Sequence, residues 1–260
     1  MDKSGLFGMG VQQGVSFSRP FMRAPAREAV FWPGCALMGL DGAILERTLM
    51  VLRRAEPDMG LCSCCCGQPS RYLFPEKYEA RRASLIRFLK SKGIKRVYTA
   101  CPNCALQLRE LDAAQVLPIW SILDANLRPE DVERQAGQAC FLHDPCPMRQ
   151  DGAEQAAVRS LLKKAGVSAG LPEHSGPNTR CCGNFHMLRA TDPEKSEKMR
   201  RNRLAEFPAD KPIASYCEGC LDAFRSAGRE TIHLLELLFG KSAQRGWGNR
   251  LAFTGKAGKR

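Results

Sequence analysis

Apolar residues along the chain come in short runs, and the runs keep ending on cysteine. "REAVFWPGC" (27–35) and "QACFLHDPC" (138–146) read as apolar strands that stop at Cys35 and Cys146. A stretch of helical spacing follows each one. Leu45, Leu49 and Leu52 lie at i, i+4, i+7 in the first case, and Val158, Leu161 and Leu162 at i, i+3, i+4 in the second. Next comes a loop rich in Gly, Pro and Ser that carries an adjacent cysteine pair, and then a charged amphipathic helix, around 76–91 and around 193–207. "KRVYTAC" (95–101) and "KPIASYC" (211–217) are second strands, each delivering a Cys-x-x-Cys into a helix start. "VLPIWSIL" (116–123) and "TIHLLELL" (231–238) close the two series. Strand alternating with helix predicts a parallel sheet with helices on its faces, and chemistry beyond the carboxyl ends of the strands.

The two series are copies. Cys35, Cys65-Cys66-Gly67 and Cys101-x-x-Cys104 match Cys146, Cys181-Cys182-Gly183 and Cys217-x-x-Cys220. From Cys66 to Cys101 is 35 positions, as it is from Cys182 to Cys217; the first arms differ, 30 from Cys35 to Cys65 against 35 from Cys146 to Cys181. Such order and spacing mark an internal duplication. The expected fold is therefore α/β, with two pseudo-repeated units. Each is a small parallel sheet flanked by helices, with its cysteines at strand carboxyl ends. The expected organisation is an N-terminal extension (1–28), a first unit (29–128), a second unit (137–240) and a basic C-terminal tail (241–260).

Composition changes this picture in two ways. The chain has 260 residues, 44% of them hydrophobic, as suits a globular protein of one large or two ordinary domains. No apolar run approaches the roughly 18 residues of a membrane span, and the first 28 residues lack the apolar core of a secretory signal. Thirteen cysteines, an odd number, with no export signal point to a cytoplasmic protein whose thiols bind metal rather than pair as disulfides. The net charge of +12 resembles a nucleic-acid signal. Half of it, however, sits in Lys241, Arg245, Arg250, Lys256, Lys259 and Arg260. That tail is Gly-rich, shows no hydrophobic periodicity and reads as mobile, so no nucleic-acid partner is expected; an acidic protein partner or a merely solvated tail suits it better.

Each series offers five thiols, and a structural zinc ion is filled by four. Adjacent cysteines rarely both reach one ion, whereas a cluster of several irons gives neighbouring side chains different corners to bind. A glycine after the pair lets the backbone turn sharply. Thiolate-rich sites select iron–sulfur chemistry or zinc, and a thiol–disulfide relay is the third alternative.

Cys-x(n)-Cys-Cys-Gly-x(n)-Cys-x-x-Cys, present twice over residues 29–240, resembles the cysteine-rich CCG domain found in the disulfide-splitting subunit of heterodisulfide reductase and in its relatives. The resemblance implies two noncubane [4Fe-4S] clusters, one on Cys35, Cys65, Cys66, Cys101 and Cys104, the other on Cys146, Cys181, Cys182, Cys217 and Cys220. It implies an oxidoreductase of the disulfide-reductase type, acting as a subunit of a larger complex. That complex reduces a small disulfide or related sulfur compound by one-electron steps. The alternative resemblance is to electron-transfer subunits of glycolate, lactate, glycerol-3-phosphate or succinate dehydrogenases, which pass electrons from a flavin towards quinone. Neither a ferredoxin cysteine run nor a P-loop occurs, and Gly8, Gly10 and Gly14 have the wrong spacing for a dinucleotide fingerprint. No flavin or nucleotide is thus expected on this chain. A ferredoxin-like iron–sulfur subunit or a flavoprotein subunit is implied as partner, and such a partner could hold the chain at a membrane that it does not itself span.

The remaining candidates are few. His143 and His186 flank the second set and are candidates for proton transfer or for tuning a cluster through a hydrogen bond. His174 and His233 have weaker claims. Asp144 is expected to cap a helix after Cys146. Cys62 and Cys64 have no counterparts in the second series and read as loop residues before spare ligands or a redox-active pair, and Cys140 as a buried structural thiol.

Overall fold

The computed structural model describes residues 3–133 and 137–258. The chain divides into two compact units, Met1–Pro118 with Gln244–Arg260, and Ile119–Ala243. In the first unit the order is α1 (Lys3–Ser16), β1 (Ala29–Trp32), α2 (Gly42–Leu52), β2 (Gly60–Leu61), α3 (Gln68–Leu73), α4 (Pro75–Ser91), β3 (Arg96–Thr99), α5 (Pro102–Arg109) and β4 (Gln115–Pro118). The second unit runs α6 (Trp120–Asn126), β5 (Ala139–His143), α7 (Gly152–Lys164), β6 (Ser168–Gly170), α8 (Leu188–Thr191), α9 (Pro193–Leu204), β7 (Ile213–Ser215), α10 (Glu218–Arg225), β8 (Thr231–His233) and α11 (Leu234–Phe239). A last helix, α12 (Trp247–Lys256), belongs to the first unit again.

Each unit holds a four-stranded, all-parallel sheet, ordered β2-β1-β3-β4 in one and β6-β5-β7-β8 in the other. The expected α/β fold of two pseudo-repeats is the one observed. Leu45, Leu49 and Leu52 on α2, and Val158, Leu161 and Leu162 on α7, are buried as their spacing requires. The strand order positions the thiols. The chain leaves β1 for the edge strand β2, then crosses back to pair β3 on the other side of β1, and β5 and β7 repeat the manoeuvre. The carboxyl ends of β1 and β3, and of β5 and β7, are thus topological switch points, where open parallel sheets collect their ligands. Cys35 and Cys101 emerge at one, Cys146 and Cys217 at the other.

Four features differ from the sequence reading. The edge strands β2 and β6, two and three residues long, carry no legible pattern of their own. Residues 119–128, grouped above with the first unit, lie in the second, where Glu154 of α7 accepts the Trp120 N–H at 2.9 Å and the Ser121 N–H at 3.2 Å. The C-terminal tail is not a mobile strand of charge. Residues 247–256 form α12, whose Arg250, Phe253 and Thr254 are buried, and Lys256 pairs with Glu46 of α2; Lys259 and Arg260 lie outside the described residues. Nor are the first 28 residues an appendage, because α1 buries Gln13 and Ser16, and Ser16 Oγ accepts from Arg250 Nη2 at 2.7 Å.

Candidate metal centres

The sequence places the thiols by simple means. Cys35 and Cys146 follow β1 and β5 directly. Cys101 and Cys217 are the N-cap residues of α5 and α10, and the proline at the first position of α5 suits that start. Cys104 and Cys220 follow one turn later and so face the same end of the sheet. Helix N-termini also favour the thiolate form. The Cys-Cys pairs arrive on the loops after β2 and β6, and in each loop the following glycine takes a positive φ, +85° at Gly67 and +88° at Gly183. Those turns bring the glycine N–H back onto the first sulfur of the pair: Gly183 N donates to Cys181 Sγ at 3.3 Å, and Gly67 N to Cys65.

The same pattern of thiol hydrogen bonds links all five sulfurs in each unit. Cys35 and Cys66 lie within hydrogen-bond reach of Cys65, and Cys104 within reach of both Cys66 and Cys101. Cys146 and Cys182 lie within hydrogen-bond reach of Cys181, and Cys220 within reach of both Cys182 and Cys217. Three of these sulfurs, Cys65, Cys101 and Cys181, are pulled towards thiolate. Hydrogen bonds from Cys35 and Cys66 lower Cys65, one from Cys104 lowers Cys101, and those from Cys146 and Cys182 hold Cys181 down to about 2. The donors Cys35, Cys104, Cys146 and Cys220 are raised by those same bonds and by burial. All ten cysteines named from the sequence are therefore assembled as two sets of five. The shorter first arm changes nothing in the grouping, because β2 runs almost directly into the cysteine loop whereas residues 171–180 intervene after β6.

The surroundings differ between the sets. Trp32 and His143 hold the same position, the last residue of the first strand, paired with Thr99 and Ser215. Both side chains are buried, and Trp32 Nε1 and His143 Nε2 have no hydrogen-bond partner among the described residues. Trp32 packs in the core cluster that contains Cys62, Cys64, Cys66 and Cys104. One ring nitrogen of His143 lies within 4.8 Å of both Cys182 Sγ and Cys220 Sγ. Its Nδ1 is already occupied, accepting from Arg203 Nε at 3.2 Å and lying 3.1 Å from Nη2. A guanidinium only donates, so neutral His143 carries its proton on Nε2. Burial, and then the Arg203 charge, push His143 well below its usual range and keep it neutral. Arg203 itself is fully buried, donates to the His174 carbonyl at 2.7 Å, pairs with Glu206 at 2.8 Å and lies 4.7 Å from the Phe207 ring centroid.

His186, by contrast, is exposed, with φ +56° and its ring stacked on Phe185 at 3.7 Å. His174 pairs with Glu206 at 3.2 Å, and His233 caps α11 by accepting from Leu235 N at 3.2 Å, so both serve structure. Asp144 does not cap a helix. Its buried carboxylate pairs with Arg159 at 2.7 Å and accepts from Gly176 N at 2.8 Å and Tyr216 Oη at 3.1 Å, tying three segments together. Cys62 and Cys64 are in a loop, as expected, but completely buried; burial and a hydrogen bond to Cys62 raise the Cys64 thiol. Cys140 is buried in β5, its thiol pushed up to about 11 by burial alone. Sequence reasoning missed Gln13, Arg203 and Arg250, since a polar or charged residue on a helix reads as a solvated face.

The residues fit a polynuclear iron–sulfur group. The donor set is all thiol, five sulfurs in each set exceed what one tetrahedral ion takes, and among the described residues Trp32 Nε1, in the core cluster of the first set, and His143 Nε2 stand without a partner. No curated protein matches the chain. Among solved structures it is similar to glutamate racemase isoform RacE1 from Bacillus anthracis at 13% identity, covering 82% of this chain and 79% of that one, with a TM-score of 0.33. It is also similar to PH1733, an aspartate racemase homologue from Pyrococcus horikoshii OT3, at 12% identity, covering 82% and 96%, with a TM-score of 0.29. At these scores neither likeness says anything about what this chain does. The model of the CCG cysteine-rich domain matches residues 29–109 and again residues 140–225, the two stretches that carry the two sets of five thiols, and the chain belongs to the CCG cysteine-rich domain family.

Proposed function

We propose that this chain is the catalytic iron–sulfur subunit of a heterodisulfide-reductase-like complex, with a noncubane [4Fe-4S] cluster on each set of five cysteines. The observation that carries the reading is uneven burial within each set. Cys65, Cys66, Cys104, Cys182, Cys217 and Cys220 are buried, whereas Cys35 and Cys101 in the first set, and Cys146 and Cys181 in the second, are partly exposed. A centre that only relays electrons needs no open edge; one that meets a sulfur substrate does. When bound, the clusters would supply single electrons and a sulfur-binding iron for splitting a disulfide. His143 then serves as a fixed donor rather than as a proton carrier, because Arg203 leaves its only proton on Nε2 and the ring is fully buried. His186, exposed on the loop after the second pair, is the group able to exchange protons with solvent. Electrons come from a ferredoxin-like or flavoprotein subunit in the cytoplasm. The tail offers such a partner less charge than the sequence count suggests, since Arg250 is buried and Lys256 is paired.

Anaerobic purification with metal analysis tests the cofactor: two four-iron clusters give about eight irons and as much sulfide per chain. Recovering zinc in their place would sink the reading. Adding small disulfides to the reduced and oxidised protein, followed by electron paramagnetic resonance, separates the functions. A new signal that depends on the disulfide marks a catalyst. A spectrum indifferent to every disulfide, together with electron transfer from a flavoprotein towards quinone, marks the dehydrogenase-type relay subunit instead.

A further inference from the structure

The first set of cysteines has a neighbour from outside the segment that the family model matches. Helix α1 buries Gln13 against Cys65, with Nε2 3.6 Å and Oε1 4.0 Å from the same sulfur. Two residues further back decide which end of the amide faces it. Arg81 of α4, half-buried with its guanidinium 5.3 Å from the Phe17 ring centroid, has only protons to give; its Nη1 lies 2.7 Å from Ser70 Oγ. Ser70, fully buried, therefore accepts from Arg81 and turns its own proton to Gln13 Oε1, 2.8 Å away. An amide whose oxygen is so engaged presents its NH2 to the sulfur, which agrees with the shorter of the two distances. Every link points the same way, from the guanidinium towards Cys65.

We propose that Arg81, Ser70 and Gln13 form a one-directional hydrogen-bond relay that ends on the Cys65 sulfur and makes the metal centre of the first set easier to reduce. The inference rests on the iron–sulfur reading above. An N–H aimed at a ligand sulfur stabilises the reduced, more negative state of a cluster more than the oxidised one, and a partner polarised by a cation does so more strongly. The second unit reaches the same kind of end with different residues, through Arg203 and His143 beside Cys182 and Cys220. Gln13 touches the ligand, while Ser70 and Arg81 are positioning residues that act through it.

The two centres of one chain provide the control. Full-length protein is purified anaerobically, and both centres are followed through a redox titration by electron paramagnetic resonance, with Cys104→Ala identifying the signal of the first. Gln13→Leu is expected to lower the reduction equilibrium of the first centre about tenfold, about 59 mV for a one-electron couple, and to leave the second unmoved. Arg81→Met moves the first centre the same way by less, and Arg81→Lys restores most of the shift. Protein carrying amide-15N glutamine, otherwise unaltered, should show a weak 15N coupling at the first centre that disappears in Gln13→Leu, a readout independent of how well the other variants fold. Iron in both centres with an unmoved first potential and no 15N coupling overturns the relay alone. Equal shifts in both centres also overturn it. Zinc in place of iron overturns the underlying reading and the inference with it.

Discussion

The glycine that ends each Cys-Cys-Gly triplet provides a test of why the two copies tolerate change differently. Both glycines sit at positive φ, so alanine at either position meets a left-handed backbone that costs about 1–2 kcal/mol. There the equivalence ends. A Cβ on Gly67 would find only Phe17 Cζ at 3.4 Å and Leu85 Cδ1 at 3.8 Å, ordinary packing distances. A Cβ on Gly183 would lie 2.5 Å from the backbone oxygen of Ser196 and 3.2 Å from the Arg200 N and Cβ, so helix α9 has to move away. Moving it also strains the buried hydrogen bond from Ser196 Oγ to the Gly183 carbonyl, 2.6 Å. Overpacking of that kind adds about 1–3 kcal/mol and the hydrogen bond about 1 kcal/mol. Gly67→Ala should thus cost about 1–2 kcal/mol, and Gly183→Ala about 3–6 kcal/mol.

Displacing α9 also displaces Arg203, and with it the group that fixes His143 beside the second set. Denaturant unfolding of the anaerobically purified variants, with iron counted per chain, gives both quantities. Gly67→Ala should keep its full iron, while Gly183→Ala loses the iron of the second set and retains that of the first. Equal destabilisation and equal iron loss in the two variants would refute the reasoning, because it would mean that the glycine answers to the cysteines, which are alike, and not to the helix, which is not.

Other outcomes rest on single residues. Cys182→Ser should remove the iron of the second set while Cys140→Ser leaves total iron unchanged, as metal analysis will show; equal losses would contradict the ligand sets. Burial raises Cys140 to about 11 from its ordinary 9, so the neutral thiol stabilises the fold fully below pH 9 and this contribution fades as pH rises to 11. The stability difference between the unaltered protein and Cys140→Ala should therefore shrink by about 2 kcal/mol across that window, measured by urea unfolding, and a constant difference would rule the effect out. Glu154→Ala leaves the Trp120 and Ser121 N–H groups at the start of α6 without their acceptor and should cost about 1–3 kcal/mol, with Glu154→Gln in between.

How far the sequence could be read depended on what each residue faces. Strands β1, β3, β5 and β7 and helices α2 and α7 were legible because they are buried against other apolar residues, which imposes the familiar periods. The cysteine sets were legible because ten cysteines keep their order in both copies. Helices α1 and α12 were not, for a shared physical reason. On α12 the buried positions Arg250, Phe253 and Thr254 keep helical spacing, but two of them are polar, whereas Trp247 and Leu251 are exposed. On α1 Gln13 and Ser16 are buried while Leu6, Phe7 and Val11 are exposed. A hydrophobicity pattern reads such helices inside out.

That inversion has a cause in the chemistry of the first set. Gln13 reaches Cys65, and Arg250, which donates to Ser16, lies near enough to Cys35 for its charge to favour the thiolate. Sulfurs that carry negative charge need donors and cations around them, so an inner face turned towards them must be polar although it is buried. The ligands were duplicated, but their surroundings were not: one copy has Trp32, Gln13 and two terminal helices, the other His143 and a buried arginine. A tryptophan N–H can only donate, and a histidine can only donate while Arg203 holds its other nitrogen. His143, beside the second set, is thereby coupled to a salt-bridged side chain, Arg203 with Glu206. Losing Arg203 would free His143 to exchange tautomers and alter the second centre, whereas no single substitution can free Trp32. Two like sets of cysteines in unlike settings would give any metal centres they hold different potentials.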